Sequence, residues 1–189
     1  MTVQPVRYFG DPVLRERALE VVTFDKELRS LVADLDETMR EQGGAGLAAP
    51  QIGVGLRVFT YRVGEDQHGH LVNPTWTVLD DTEQTGPEGC LSIPGHRWDC
   101  TRYDNVVARG WDMYGEPVEI EGTAMLARAI QHETDHLDGV LFLDRLDPAT
   151  RKAAMAEIRQ APWFDPTAPP RIKQDPHAGA NPLLRGAHG

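Results

Sequence analysis

Apolar residues recur at helical spacing after Asp25: Leu28, Leu31, Val32, Leu35 and Met39 share one face, and Gly43-Gly44 stops the run. Residues 46–55 break this rhythm with glycine, alanine and Pro50 and read as a loop. Residues 56–63 are rich in β-branched and aromatic side chains, a strand signature, and 64–69 form a turn. Short strands are expected again at 70–72 and 75–79, and a hairpin at 106–113 and 116–120 around Tyr114-Gly115. A second helical period covers residues 123–137 and ends at Asp138-Gly139. Asp147 followed by Pro148 is a capped helix start, and that last helix reaches residue 160. This order predicts an α+β fold: a mostly antiparallel sheet packed around the central helix at 123–137, with an N-terminal and a C-terminal helix.

Composition narrows the picture. The chain has 189 residues, enough for one domain with a proper core. Residues 1–160 read as that domain. Residues 161–189 hold six of the 14 prolines with almost no apolar periodicity and read as a Pro/Gly-rich tail, extended or mobile. The first ten residues carry no apolar run of a signal peptide, no stretch suits a bilayer, and Cys90 and Cys100 make no disulfide framework. A cytoplasmic protein without membrane contact is the expectation. The net charge of −10 argues against general or sequence-specific nucleic-acid binding. From Pro148 onward the balance reverses to +3, through Arg151, Lys152, Arg159, Arg171, Lys173 and Arg185 against Glu157, Asp165 and Asp175.

The central helix carries the chemistry. His132-Glu133-Thr134-Asp135-His136 puts two imidazoles four residues apart on one helix face, within reach of one cation, with Glu133 placed to reach a water on that cation. A helix this apolar is buried on at least one side, and buried ionisable groups are costly unless they bind something. The third ligand is open on spacing alone. Asp138 and Asp144 follow the motif at poor spacing, and His177 and His188 lie in the tail. Upstream, Cys90 offers a thiolate, a strong ligand for a divalent transition metal, against its bland role as a small buried hydrophobe. Gly44-Ala45-Gly46-Leu47-Ala48-Ala49 formally fits a dinucleotide fingerprint, but a helix precedes it and Pro50 follows, so nucleotide binding is rejected.

Three blocks then stand in order: Gly44-Ala45-Gly46-Leu47-Ala48-Ala49-Pro50-Gln51, Glu88-Gly89-Cys90-Leu91-Ser92, and Gln131-His132-Glu133-Thr134-Asp135-His136-Leu137-Asp138-Gly139. Together they resemble the motifs of the peptide deformylases, over roughly residues 6–160. That resemblance implies a metal-dependent hydrolase that removes the N-formyl group from the initiator methionine of nascent chains and releases formate. It implies Cys90, His132 and His136 as metal ligands, Glu133 as the base acting on metal-bound water, and Gln51 and the backbone N–H of Leu91 as oxyanion donors. Donor chemistry alone suggests Zn2+; the resemblance implies Fe2+ natively, with Zn2+, Ni2+ or Co2+ able to occupy the site. Ala45, Gly46 and Gly89 would let a peptide lie as an added strand. Met125, Arg128 and Ala129 would line the pocket for the first side chain, and Arg97 matches an arginine near the substrate.

Two positions depart from the family pattern. Ala45 stands where a larger aliphatic residue is usual, and Arg128 where an apolar one is; Arg128 either snorkels outward or narrows the pocket. Further implied partners are formylated nascent chains and, through Arg151, Lys152 and Arg159, the ribosome. Competing readings are an H-E-x-x-H metallopeptidase, a deformylase-like protein with altered substrate, and a non-catalytic module, although Glu133 and Gln51 are both retained. His68 and His70 flank the predicted turn and are expected to be solvent-exposed, His96 has no ligand partner at metal spacing, Cys100 is assigned to packing, and Trp76, Trp98 and Trp111 to the sheet.

Overall fold

A computed structural model describes residues 2–165. The described residues form three α-helices, α1 (Lys26–Glu41), α2 (Ala124–Leu137) and α3 (Pro148–Ile158), and seven strands: β1 (Gly46–Ala48), β2 (Val58–Val63), β3 (Gln67–Val78), β4 (Glu83–Cys90), β5 (Ile93–Tyr103), β6 (Asn105–Trp111) and β7 (Pro117–Thr123). Five of them form an antiparallel sheet in the order β1-β2-β3-β6-β7, and β4 and β5 pair as a separate ribbon. The α+β expectation, a mostly antiparallel sheet around a central helix, is met.

Side-chain alternation along β2 decides how the layers stack. Val58 packs with the apolar face of α1, while Phe59 and Tyr61 point the other way, onto Leu126, Ala127 and Ile130 of α2. The sheet is thus buried on both sides along its first strands. Leu31, Leu35 and Met39 are fully buried, each stabilising the fold by roughly 1.5–3 kcal/mol relative to exposure. A third cluster joins Ile93 and Cys100 of β5 to Phe142, Leu143, Leu146 and the Ala154 and Ile158 face of α3. Cys100 therefore packs, as expected.

Several elements differ from expectation. The strands expected at 70–72 and 75–79 are one strand, β3, kinked between Val72 and Thr75. Asn73 sits at the kink with φ +49° and exchanges hydrogen bonds with the backbone of Val21, at 2.8 and 2.9 Å. That side-chain tether supports a left-handed backbone asparagine tolerates. The loop expected over 46–55 contains β1 and a 3-10 turn at Ala49–Ile52. The ribbon β4–β5 has no counterpart in the expected elements. Trp111 is largely exposed, whereas Trp76 and Trp98 are half-buried. Of the tail expected from residue 161, the part described, 161–165, packs back on the domain: Trp163 and Phe164 lie against Tyr8 and Phe9. The remainder, with His177, His188, Arg171, Lys173 and Arg185, lies outside the described residues.

Candidate metal centre

Two elements converge on the site. Thr123 precedes α2 in extended conformation, and from Leu126 to Leu137 every residue of the helix is buried. His132 and His136 stand one turn apart with ring centroids 4.9 Å from each other. Cys90 arrives from the end of β4, where the ribbon tightens and pairs Cys90 with Ile93. Its Sγ lies 3.2 Å from Nε2 of His136. One donor atom from each of Cys90, His132 and His136 falls within 4.8 Å of the others.

Orientation is fixed from behind. His132 Nδ1–H donates to Glu88 Oε1 at 2.7 Å, which leaves Nε2 of that ring as the atom with a lone pair for a cation. The Ser92 backbone N–H and Gln51 Nε2 approach the Cys90 sulfur at 3.4 and 3.5 Å. Asp138 and Asp144, the alternative third ligands, are engaged elsewhere, Asp138 by Arg57 and Asp144 by Arg15 and Arg151.

The donor set fits a divalent cation. Burial works against charge on His132, yet its hydrogen bonds with Cys90 and Glu88 hold its pKa well above the usual imidazole range. Burial and neighbouring His132 push His136 the other way. The negative groups around His132 thus favour positive charge beside it, and His136 offers a neutral ring. A cation shared by the three donors satisfies both, and a thiolate with two imidazoles is a common divalent-metal set. Glu133, wholly buried, is pushed up to about 7 by that burial, and its Oε2 is without a hydrogen-bond partner among the described residues. A buried carboxylate oxygen left open beside the donors is suited to hold a water or a proton.

Glu88 anchors the charges beneath. It accepts from Arg102 on both oxygens, at 2.7 and 3.1 Å, and from Arg128 Nη1 at 2.7 Å as well as from His132. Burial alone would raise its pKa, but the His132 and Arg102 hydrogen bonds hold it well below the usual carboxylate range. Arg102 reaches on to Asp135 at 2.7 Å, and Asp135 is clamped by Arg145. Glu88, Arg102 and Asp135 form the support of the site that sequence reasoning missed. Their signal was present, since Glu88 lies two before Cys90 and Asp135 one before His136, but only the β4–β5 pairing brings Arg102 to them.

A cleft of about 650 Å³ opens onto the donors. Ala45, Gly46, Gly89, Leu91 and Arg97 line it from the β1 and ribbon sides, and Met125, Arg128 and Ala129 from α2. Gln51 is buried: its Oε1 accepts from the Ala48 N–H at 2.8 Å, which turns Nε2 toward Cys90 and Ser92. Gly46 touches Glu133 so closely that an added Cβ would come within 2.3 Å of Glu133 Oε1. Arg128 does not snorkel outward. It is buried, bonded to Glu88 and to the carbonyl of Cys100 at 2.9 Å. Arg97 is exposed, its stem beside Gly89. His70, half-buried, accepts from the Met113 N–H at 2.9 Å, away from the site.

The sequence profile of the polypeptide deformylases matches residues 3–152. The chain is 56% identical over 177 residues to the peptide deformylase of Acidothermus cellulolyticus, covering 94% of this chain and 96% of that one. It is 54% identical over 168 residues to peptide deformylase 1 of Corynebacterium efficiens, covering 87% and 99%. Among solved structures, the peptide deformylase of Thermus thermophilus superimposes with a TM-score of 0.79 at 38% identity, covering 84% and 94%. That of Ehrlichia chaffeensis in complex with actinonin gives 0.80 at 31% identity, covering 87% and 100%.

Proposed function

Because the chain belongs to the polypeptide deformylase family, a family of metal-dependent hydrolases that remove the formyl group from N-formylmethionyl peptides, we propose that its residues divide this work around Cys90, His132 and His136. The convergence of those three donors beside the open carboxylate of Glu133 carries the reading. Cys90, His132 and His136 would hold the ion, and Glu88 fixes the ring of His132. When bound, the ion supplies Lewis acidity and acidifies water near neutral pH. Glu133 takes the proton of the attacking water on its open Oε2 and delivers it to the departing amine. Gln51 Nε2 and the Leu91 N–H donate to the oxygen that gains charge as the formyl carbon becomes tetrahedral. Ala45, Gly46 and Gly89 bring backbone close to the peptide, which lies as an added strand, with Arg97 beside it. Met125, Arg128 and Ala129 bound the space for the first side chain.

The native ion we assign is Fe2+, with Zn2+, Ni2+ or Co2+ able to replace it; a ferrous site beside a thiolate loses activity in air. The working place is the cytoplasm, on chains still emerging from the ribosome. Lys152 and Arg159 are exposed on and after α3, while Arg151 is paired with Asp144. Reversing the charge of Lys152 and Arg159 should weaken ribosome binding in a salt-dependent manner; unchanged binding refutes that contact.

The test of the main reading is anaerobic purification, metal analysis and formate release from formyl-Met-Ala-Ser. Glu133→Ala should retain its metal and lose about a hundredfold or more in kcat. Substantial activity in that variant would remove Glu133 from the role of base.

A further inference from the structure

One rim of the cleft is aromatic, and it is held from an unexpected direction. Tyr8, Pro94, Gly95 and His96 line the cleft. Trp163, from the segment after α3, donates its indole N–H to the Pro94 carbonyl at 3.0 Å. Its ring meets those of Tyr8 and His96 edge-on, with centroids 5.7 and 6.1 Å away. Behind the rim, His96 stacks on Trp98 at 5.4 Å and Trp98 on Phe142, whose ring lies 6.0 Å from that of His132. Glu157 of α3 faces His96 Nδ1 at 3.8 Å. The rim is thus tied both to the last helix and to the segment beyond it.

The cleft is large for a formyl-methionyl group alone. Its volume falls in the range that encloses most of a drug-sized ligand, so room remains for peptide downstream. Tyr8 is 38% exposed, presenting part of its ring to solvent although Trp163 covers an edge. Partly exposed rings held rigid by neighbours offer apolar contact at little entropic cost. Gly95, at φ +80° with open space around it, lies in the irregular stretch of β5 between the Cys90–Ile93 and Gly89–Arg97 pairs, and the Trp163 hydrogen bond to Pro94 braces that stretch.

We propose that Trp163 is a positioning residue that holds Tyr8 and His96 as an aromatic subsite for the peptide beyond its first residue. The proposal rests on the deformylase reading. Trp163 also covers the third apolar cluster, so loss of the ring lowers stability whether or not the subsite exists. Substrate length separates the two effects.

The experiment measures kcat and KM for formylated peptides of two to five residues, on the full chain and on Trp163→Ala, Trp163→Phe and Tyr8→Ala. In the unmodified protein kcat/KM should rise with length. Trp163→Ala and Tyr8→Ala should cut the long-to-short ratio by about two- to tenfold, the worth of an aromatic contact, through KM. Trp163→Phe, which keeps a ring and loses the N–H, should fall between, and it preserves the test if Trp163→Ala fails to fold. A ratio that stays the same in the variants, or no length dependence at all, overturns the subsite. Absence of formate from every peptide in the unmodified protein would instead overturn the deformylase reading.

Discussion

At the scale of single residues, the site depends on close approach as much as on reactive groups. Gly46 is the clearest case. Its neighbour Glu133 sits where any Cβ would be, within 2.3 Å of Oε1 and 2.7 Å of Cδ. Gly46→Ala must therefore push the carboxylate aside. A displacement near 1 Å costs about a hundredfold in rate, so kcat should fall by about that factor. The backbone of β1 need not move, and metal content should persist. Kinetics with metal analysis check this; a variant of normal kcat would mean that Glu133 has slack that its contacts do not suggest. Arg128 teaches a related lesson. Its charge is unusual for a pocket wall, yet it is paired with Glu88 and the Cys100 carbonyl, so it belongs to the buried support as much as to the cleft.

Among elements, what was legible depended on where each strand or helix finds its burial. α1 buries a mainly apolar stripe, α2 shows its helical period in an apolar first half before its buried polar motif, and α3 announces itself by Asp147-Pro148, where the Asp147 side chain accepts from the Ala149 and Thr150 N–H groups. β4 and β5 were not legible because β4 buries only Glu88 and β5 only Ile93, Cys100 and Arg102, and Glu88 and Arg102 are charges that neutralise each other. An alternating apolar pattern never forms there. The Cys90, His132 and His136 set was readable through three motifs in order, while its charged support needed the ribbon's register. β3 shows a further joint: His70 accepts the Met113 N–H and so ties this strand to the turn of the β6–β7 hairpin. Burial lowers its pKa, opposed by Asp112 and Asp36. The unfolded chain thus takes up this proton first as pH falls, so stability is complete above about 6.5 and declines as pH drops through that value toward the folded pKa. In the metal-loaded protein, His70→Gln should flatten this part of the pH profile of unfolding by urea. An identical profile in both proteins would assign the pH dependence to other groups.

For the molecule as a whole, the metal centre is also a structural joint. Cys90 belongs to the β4–β5 ribbon, His132 and His136 to α2, and the ribbon meets α3 through the third apolar cluster. A cation bound by all three donors therefore links the ribbon to the central helix. His132, His136 and the open carboxylate of Glu133 are all buried at the inner end of the cleft. Binding to the folded state alone adds RT ln(1 + [M]/Kd), about 4 kcal/mol when the ion stands at a thousand times Kd. For a domain of this size each kcal/mol moves Tm by about 2–4 °C, so removing the ion with a chelator should lower Tm by about 10 °C. Re-adding Fe2+ anaerobically, or Zn2+, should restore it. Cys90→Ala should show a much smaller response to both steps, because only the two helix donors remain. A chelated protein that melts within about 2 °C of the loaded one would mean that the ribbon and α2 are held together by packing and by the Glu88–Arg102–Asp135 charges without help from the ion.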